Sequence, residues 1–215
     1  MGLPVPIYRR DERLVDGCIH VLGVTASTGG AVTLLVLGAS SLSRTGHISL
    51  AVYAAGLIAV FYFSAAYHLV SWRGAKEVLR RFDQAAIYFK IAATYTPFAL
   101  IKLGGFSSFG LLAIVWGIAA FGMANKLVFP QRLIGTGYAL YLVQGWSGLV
   151  VFNPLASALS NSVLLLLTVG GVLYTIGVVF FLWRGLRFHM AIWHGFVLAG
   201  SICCYFAVSS TVGAF

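Results

Sequence analysis

Long apolar runs broken by short polar connections organise this chain. Seven windows, at 17–41, 48–70, 84–103, 108–126, 133–152, 160–183 and 190–212, are mostly apolar, and a run of about 20 such residues crosses a bilayer as a helix. The breaks between them read SSLSRTGH, SWRGAKEVLRRFD, KLGGFSS, NKLVFPQR, NPLAS and RGLR, rich in the Gly, Pro, Ser and charge that interrupt apolar elements. Barrel strands would be about 10 residues of alternating polarity. These runs are longer and continuously apolar, so helices satisfy their backbone groups. The pattern predicts an all-α membrane protein, a seven-transmembrane helix bundle forming one domain over residues 17–212 after a polar segment at 1–16.

Composition agrees and narrows the class. The 215 residues are 60% hydrophobic and only 9% charged, with a mean hydropathy of +0.95, far from soluble averages. A net charge of +9 would suit a nucleic-acid partner, but its distribution points to membrane topology instead, and no nucleic-acid partner is expected. On a seven-span path, one side receives Arg9, Arg10, Arg13, Arg73, Lys76, Arg80, Arg81, Lys126, Arg132, Arg184 and Arg187, the other only Arg44 and Lys102. Basic loops stay in the cytoplasm, which puts the N-terminus and segment 1–16 inside and the C-terminus outside. The expected location is the plasma membrane, the inner membrane of a bacterium. The opening MGLPVPIYRRDERLVDG has neither the apolar core of a signal peptide nor a myristoylation pattern. Cys18, Cys203 and Cys204 form no CxxC pair, and buried free thiols are expected.

On this topology the costly polar residues share a depth. His20, Ser64, His68, Asp83, His189 and His194 fall towards the cytoplasmic ends of their spans, and only His47 falls on the outer side. Ser64 and His68, four apart, share a helix face. A bundle that joins spans 2, 3 and 7 gathers His68, Asp83 and His194, a donor set suited to zinc with a fourth position for water. Simpler roles are open to each residue. The histidines can bond neighbouring helices, Asp83 can pair with Arg80 or Arg81, Ser64 can bond back to its own helix, and His20 can face water at a helix end. Lys90 lies two turns beyond Asp83, about 10 Å deeper, where it either bonds another helix or faces a cavity. Pro97 predicts a kink in span 3.

Four stretches carry a family resemblance: DGCIH at 16–20, SAAYH at 64–68, RRFDQAAIYFKIAATYTPF at 80–98 and AIWHGFVLAGSIC at 191–203. Together they resemble the hemolysin III branch of the progestin and adipoQ receptor (PAQR) family, over nearly the whole chain. The resemblance implies seven helices, an inside N-terminus, and a zinc ion near the cytoplasmic helix ends. Family zinc is held by one histidine on span 2 and two on span 7, with a span 3 aspartate and a span 2 serine contacting or orienting the water there. Residue by residue, these roles fall on His68, His194, Asp83 and Ser64.

Three positions depart from the family pattern. Met190 stands where the first span 7 histidine is usual, Gln84 where a histidine follows the aspartate, and Cys204 where a histidine is common. His189 is five residues from His194, about 140° around an ideal helix, and reaches the site only if the helix starts near residue 190 or unwinds. Met190 carries a thioether, which suits Cu(I) better than zinc. Cys204 is about 15 Å beyond His194 along the axis. The expected metal ligands are therefore His68, His194 and Asp83, with His189 as a further candidate. By resemblance, the implied function is metal-dependent hydrolysis of a membrane lipid amide, ceramidase-like, with Asp83 and Ser64 as the catalytic pair. The alternatives are a non-enzymatic sensor of membrane state with a structural or degenerate metal site, and a pore, for which no ring of charge is visible.

Overall fold

Lipid offers the backbone no hydrogen-bond partners, so each apolar run must satisfy itself as a helix. In the computed structural model, which describes residues 9–38, 42–129 and 136–213, that is what the chain does. Residues 1–8 and 39–41, Arg132, and positions 133–135 at the start of the expected fifth span lie outside the described residues. The helices are α1 (Arg10–Gly38), α2 (Arg44–Leu69), α3 (Arg73–Pro97), α4 (Gly105–Val128), α5 (Thr136–Gly145), α6 (Phe152–Ala158), α7 (Asn161–Leu182) and α8 (His189–Thr211). No strand occurs among the described residues. Ser43 and Ser160 cap α2 and α7, accepting from the Gly46 and Val163 amides at 3.2 and 3.4 Å, as serine does for the unpaired N–H groups of a first turn.

Six of these segments among the described residues are long and apolar enough to cross a membrane: α1, α2, α4, the composite Gly137–Ala158, α7 and α8. Their outer faces are apolar too; on α7, Leu165, Val169, Val172, Ile176, Val179 and Leu182 are all exposed. A helix apolar all round is built for a lipid surround. The chain is an integral membrane protein.

The helix missing from that set is α3, which extends well before the window expected at 84–103. The helix begins at Arg73 and carries Lys76, Glu77, Arg80, Arg81, Asp83, Gln84 and Lys90. It packs against α2, α4, α5 and α8 and buries Ala85, Ala86, Tyr88, Lys90, Ala92, Ala93, Thr94 and Thr96. An enclosed helix meets other helices rather than lipid, so polar side chains with partners are tolerated there. Pro97, with no N–H to give, ends the regular α3 ladder, and Phe98–Lys102 continues as a π-helical turn closed by Leu103 N–H to the Phe98 carbonyl at 3.0 Å.

Two other helices do not coincide with the expected windows. Helix α1 starts at Arg10, so Asp16 lies within it rather than in a preceding segment. The fifth window breaks after Gly145 into a 3₁₀ turn, Ser147–Val151, and resumes as α6 to Ala158. Tyr95 on α3 holds the break: its hydroxyl donates to the Gly145 carbonyl and accepts from the Gly148 amide at 3.1 Å. Of the three free cysteines only Cys204 is buried; Cys18 is exposed, because its face of α1 points away from the bundle.

Helix α8 packs on both α7 and α1, and α2 on both α1 and α3. The main apolar core, with Leu34, Leu50, Tyr53, Leu57, Phe98, Leu155 and Val208, fills one end of the bundle. The other end brings together the start of α1, the end of α2, the start of α3 and the start of α8. That end carries Arg10, Arg13, Lys76, Arg80, Arg81, Lys126, Arg184 and Arg187, while Arg44 and Lys102 sit at the other.

Candidate metal centre

Helix α1 contributes first. Asp16 and His20 are four residues apart and so share a face, turned towards α2 and α8. Helix α2 ends in His68, one turn after Ser64, and Lys76 from α3 holds that end by donating to the Tyr67 and His68 carbonyls. Helix α8 begins at His189 after Phe188, which adopts a left-handed conformation at φ 63°, an uncommon state for a bulky residue. The acids at the start of α1 sustain that turn. Glu12 accepts from the Phe188 amide at 3.0 Å, and Asp11 pairs with Arg187. The first turns of α1 thereby hold the start of α8 and, with it, His194.

The result is a cluster of three imidazoles and one carboxylate. His194 Nδ1 donates to Asp16 Oδ1 at 2.6 Å. The other carboxylate oxygen lies 3.4 Å from His20 Nε2 and 3.5 Å from His68 Nδ1. Ring centroids are 5.0 Å apart for His20 and His68, 4.4 Å for His20 and His194, and 4.6 Å for His68 and His194. His20 is 2% exposed and His194 8%. Each histidine offers one nitrogen, and these nitrogens lie within 4.8 Å of one another. His20 Nε2 is buried with the Asp16 carboxylate, at 3.4 Å, as its neighbour. Three imidazoles with an adjacent carboxylate are the donor chemistry of a zinc centre, so the residues present fit the ion.

The expected site residues sort as follows. His68 and His194 lie in the cluster. Asp83 is outside the three-histidine group; its carboxylate accepts a hydrogen bond from the Ser64 hydroxyl, one helical turn below His68. His189 is buried at the first position of α8, also outside that group among the described residues. Met190 is partly buried beside it. Cys204 packs towards Gly170 on α7, well along α8. The Gln84 carbonyl accepts from Tyr141 at 2.9 Å. Lys90, 5% exposed, bonds another helix: it donates to the Tyr174 hydroxyl at 2.8 Å, which is in turn 2.7 Å from the Ser201 hydroxyl.

Two residues of the cluster, His20 and Asp16, are not among the ligands expected from the sequence. Their signal was present in DGCIH, an acid and a histidine at i and i+4. A first span taken from residue 17 separates the two and places His20 at a helix end, whereas α1 starts at Arg10 and holds both.

The family described as Haemolysin-III related matches residues 8–205. The chain belongs to this family. It is 36% identical to the "Hemolysin-3 homolog" of Bacillus subtilis (strain 168) over 197 residues, 92% of each chain. It is 34% identical to the "Hemolysin-3" of Bacillus cereus, over 92% of this chain and 90% of that one. A more distant relative is the human "Monocyte to macrophage differentiation factor", 31% identical over 73% of this chain and 67% of that protein. No solved structure matches. For a hemolysin III protein, the polar end of the bundle with its histidines is the part that packing alone does not require.

Proposed function

We propose that this hemolysin III protein binds zinc through His20, His68 and His194 and hydrolyses an amide of a membrane lipid at that site. The observation that carries the reading is the meeting of three imidazoles from three helices around one carboxylate. Bound zinc supplies Lewis acidity, polarising a carbonyl and lowering the pKa of a coordinated water towards about 7. The remaining work falls to the chain. Asp83, hydrogen-bonded to Ser64 and outside the histidine group, takes the proton released when water attacks the amide. Ser64 orients that carboxylate by donating its hydroxyl proton to it. The lipid surround of the bundle makes membrane lipids the accessible substrate class, and α3, 25 residues long or about 37 Å, completes a seventh span. With basic residues gathered at the histidine end, that end faces the cytoplasm.

The test is release of fatty acid from a ceramide by the purified chain, with zinc content measured on the same sample. Asp83→Asn should lower the rate by about a hundredfold or more and leave the zinc content unchanged. A zinc-loaded wild type that releases no fatty acid from ceramide or related lipid amides contradicts the hydrolase reading.

A second reading has its own observation. The histidines come from α1, α2 and α8 and are largely enclosed, so a metal there would tie three helices together as a structural lock in a sensor of membrane state. It expects zinc to raise the melting temperature while Asp83→Asn changes nothing measurable in lipid turnover.

A further inference from the structure

We propose that Asp16 is the positioning residue of this metal centre, the one carboxylate that orients its histidines, and that α1 thereby supplies what position 190 lacks. The inference rests on the zinc reading above and assigns a function to the carboxylate around which that reading gathers the histidines.

Helix α8 contributes one imidazole to the group, His194, because position 190 is methionine. The third imidazole comes from α1, as His20, one turn beyond Asp16. A histidine that ligates a metal through one ring nitrogen normally donates its other N–H to a carboxylate or carbonyl, which sets the tautomer and the ring's direction. Asp16 fills this role for His194, with Oδ1 2.6 Å from Nδ1; the Nδ1 proton is spent on the carboxylate, and the Nε2 lone pair is left for a cation. Oδ2 stands 3.4 Å from His20 and 3.5 Å from His68, so one side chain touches all three rings. Its charge also matters. Three neutral imidazoles leave the two positive charges of zinc uncompensated in an enclosed site, and buried charge is stable only when paired. Asp16 is the carboxylate in contact with the rings, whereas Asp83 is engaged with Ser64. The contacts of Asp11 with Arg187 and of Glu12 with the Phe188 amide keep Asp16 in register with His194. The two carboxylates thus divide the work: Asp16 holds the site, and Asp83 remains for the reaction.

The experiment is equilibrium titration of the purified full-length chain with zinc, against a competing chelator, and with cobalt(II) as a spectroscopic probe. Wild type is compared with Asp16→Asn, Asp16→Glu, Asp83→Asn and His68→Ala. Asp16→Asn keeps the shape and loses the charge, and should weaken zinc binding by about 10–100-fold and shift the cobalt absorption bands. Asp16→Glu should recover part of that loss. Asp83→Asn should weaken zinc binding less than Asp16→Asn does, since Asp83 bonds Ser64 and lies outside the three-histidine group. If Asp16→Asn binds within about threefold of wild type with unchanged bands while His68→Ala loses the metal, this inference falls and the zinc reading stands. If wild type binds no zinc, both fall. Should Asp16→Asn not fold, Asp16→Glu decides alone, because moving the carboxylate by one methylene must alter affinity and spectrum if it touches the ligands. An unchanged titration overturns the role.

Discussion

At the scale of single residues, Met190 is the most telling departure. It occupies the position where the family resemblance leads one to expect a histidine, yet the structure still gathers three imidazoles because His20 joins His68 and His194. With α8 helical from His189, residues 190 and 194 are four apart on one face. A histidine introduced at 190 should therefore substitute for a lost His20. The prediction is that His20→Ala loses zinc by elemental analysis and that His20→Ala with Met190→His regains it; a double variant as empty as the single one contradicts the account. The residues of the site were legible unevenly. His68 and His194 stood out because histidine is costly inside an apolar run. Asp16 and His20 did not, because they sit in the first turns of a helix whose polar beginning resembles a loop. Lys90 could be placed on a helix face by spacing alone, but its partner Tyr174 is 84 residues away, a pairing that only the fold reveals.

At the scale of elements, two helices control the site. Helix α1 clamps the start of α8 through Asp11, Glu12 and Asp16, three of the five acidic residues in the chain. Helix α3 is enclosed, and its seam with α2 is close-packed. A methyl group added at Gly56 would lie 2.6 Å from the Ala93 Cβ and 3.3 Å from the Lys90 Cα. Gly56→Ala should destabilise the bundle by about 1–3 kcal/mol through overpacking. Gly117→Ala on α4, with nothing within 4 Å of the new methyl, should be neutral or slightly stabilising. Thermal melting in detergent checks both, and equal melting temperatures for the two variants contradict the packing described. Helices facing lipid were legible from apolar run length, since the bilayer imposes it. The start of α3 was not, because an enclosed helix carries no such run and its charged first turns read as a connection. The break at Gly145 was equally hidden, since it is stabilised by Tyr95 from another helix.

At the scale of the whole molecule, charge is sorted by end. The histidine end carries most of the Lys and Arg, and the core-filled end carries Arg44 and Lys102. This asymmetry was legible in the sequence because the positive-inside rule acts on loops whatever the helices do between them. It predicts that, in a chain whose native cysteines are replaced, a membrane-impermeant thiol reagent applied to intact cells labels Lys102→Cys and spares Arg184→Cys. The reverse labelling would turn the protein over and move the metal centre to the outer face. Family membership and the bundle are common to every functional reading, and both readings proposed above rest on the metal centre. The most direct test is the zinc content of the purified chain, wild type beside His20→Ala, His68→Ala, His194→Ala and His189→Ala. The account predicts about one zinc per chain in wild type, as a three-histidine site holds, with loss in the first three variants and retention in His189→Ala. Zinc retained in His20→Ala and lost in His189→Ala, or a wild type without zinc, would contradict it.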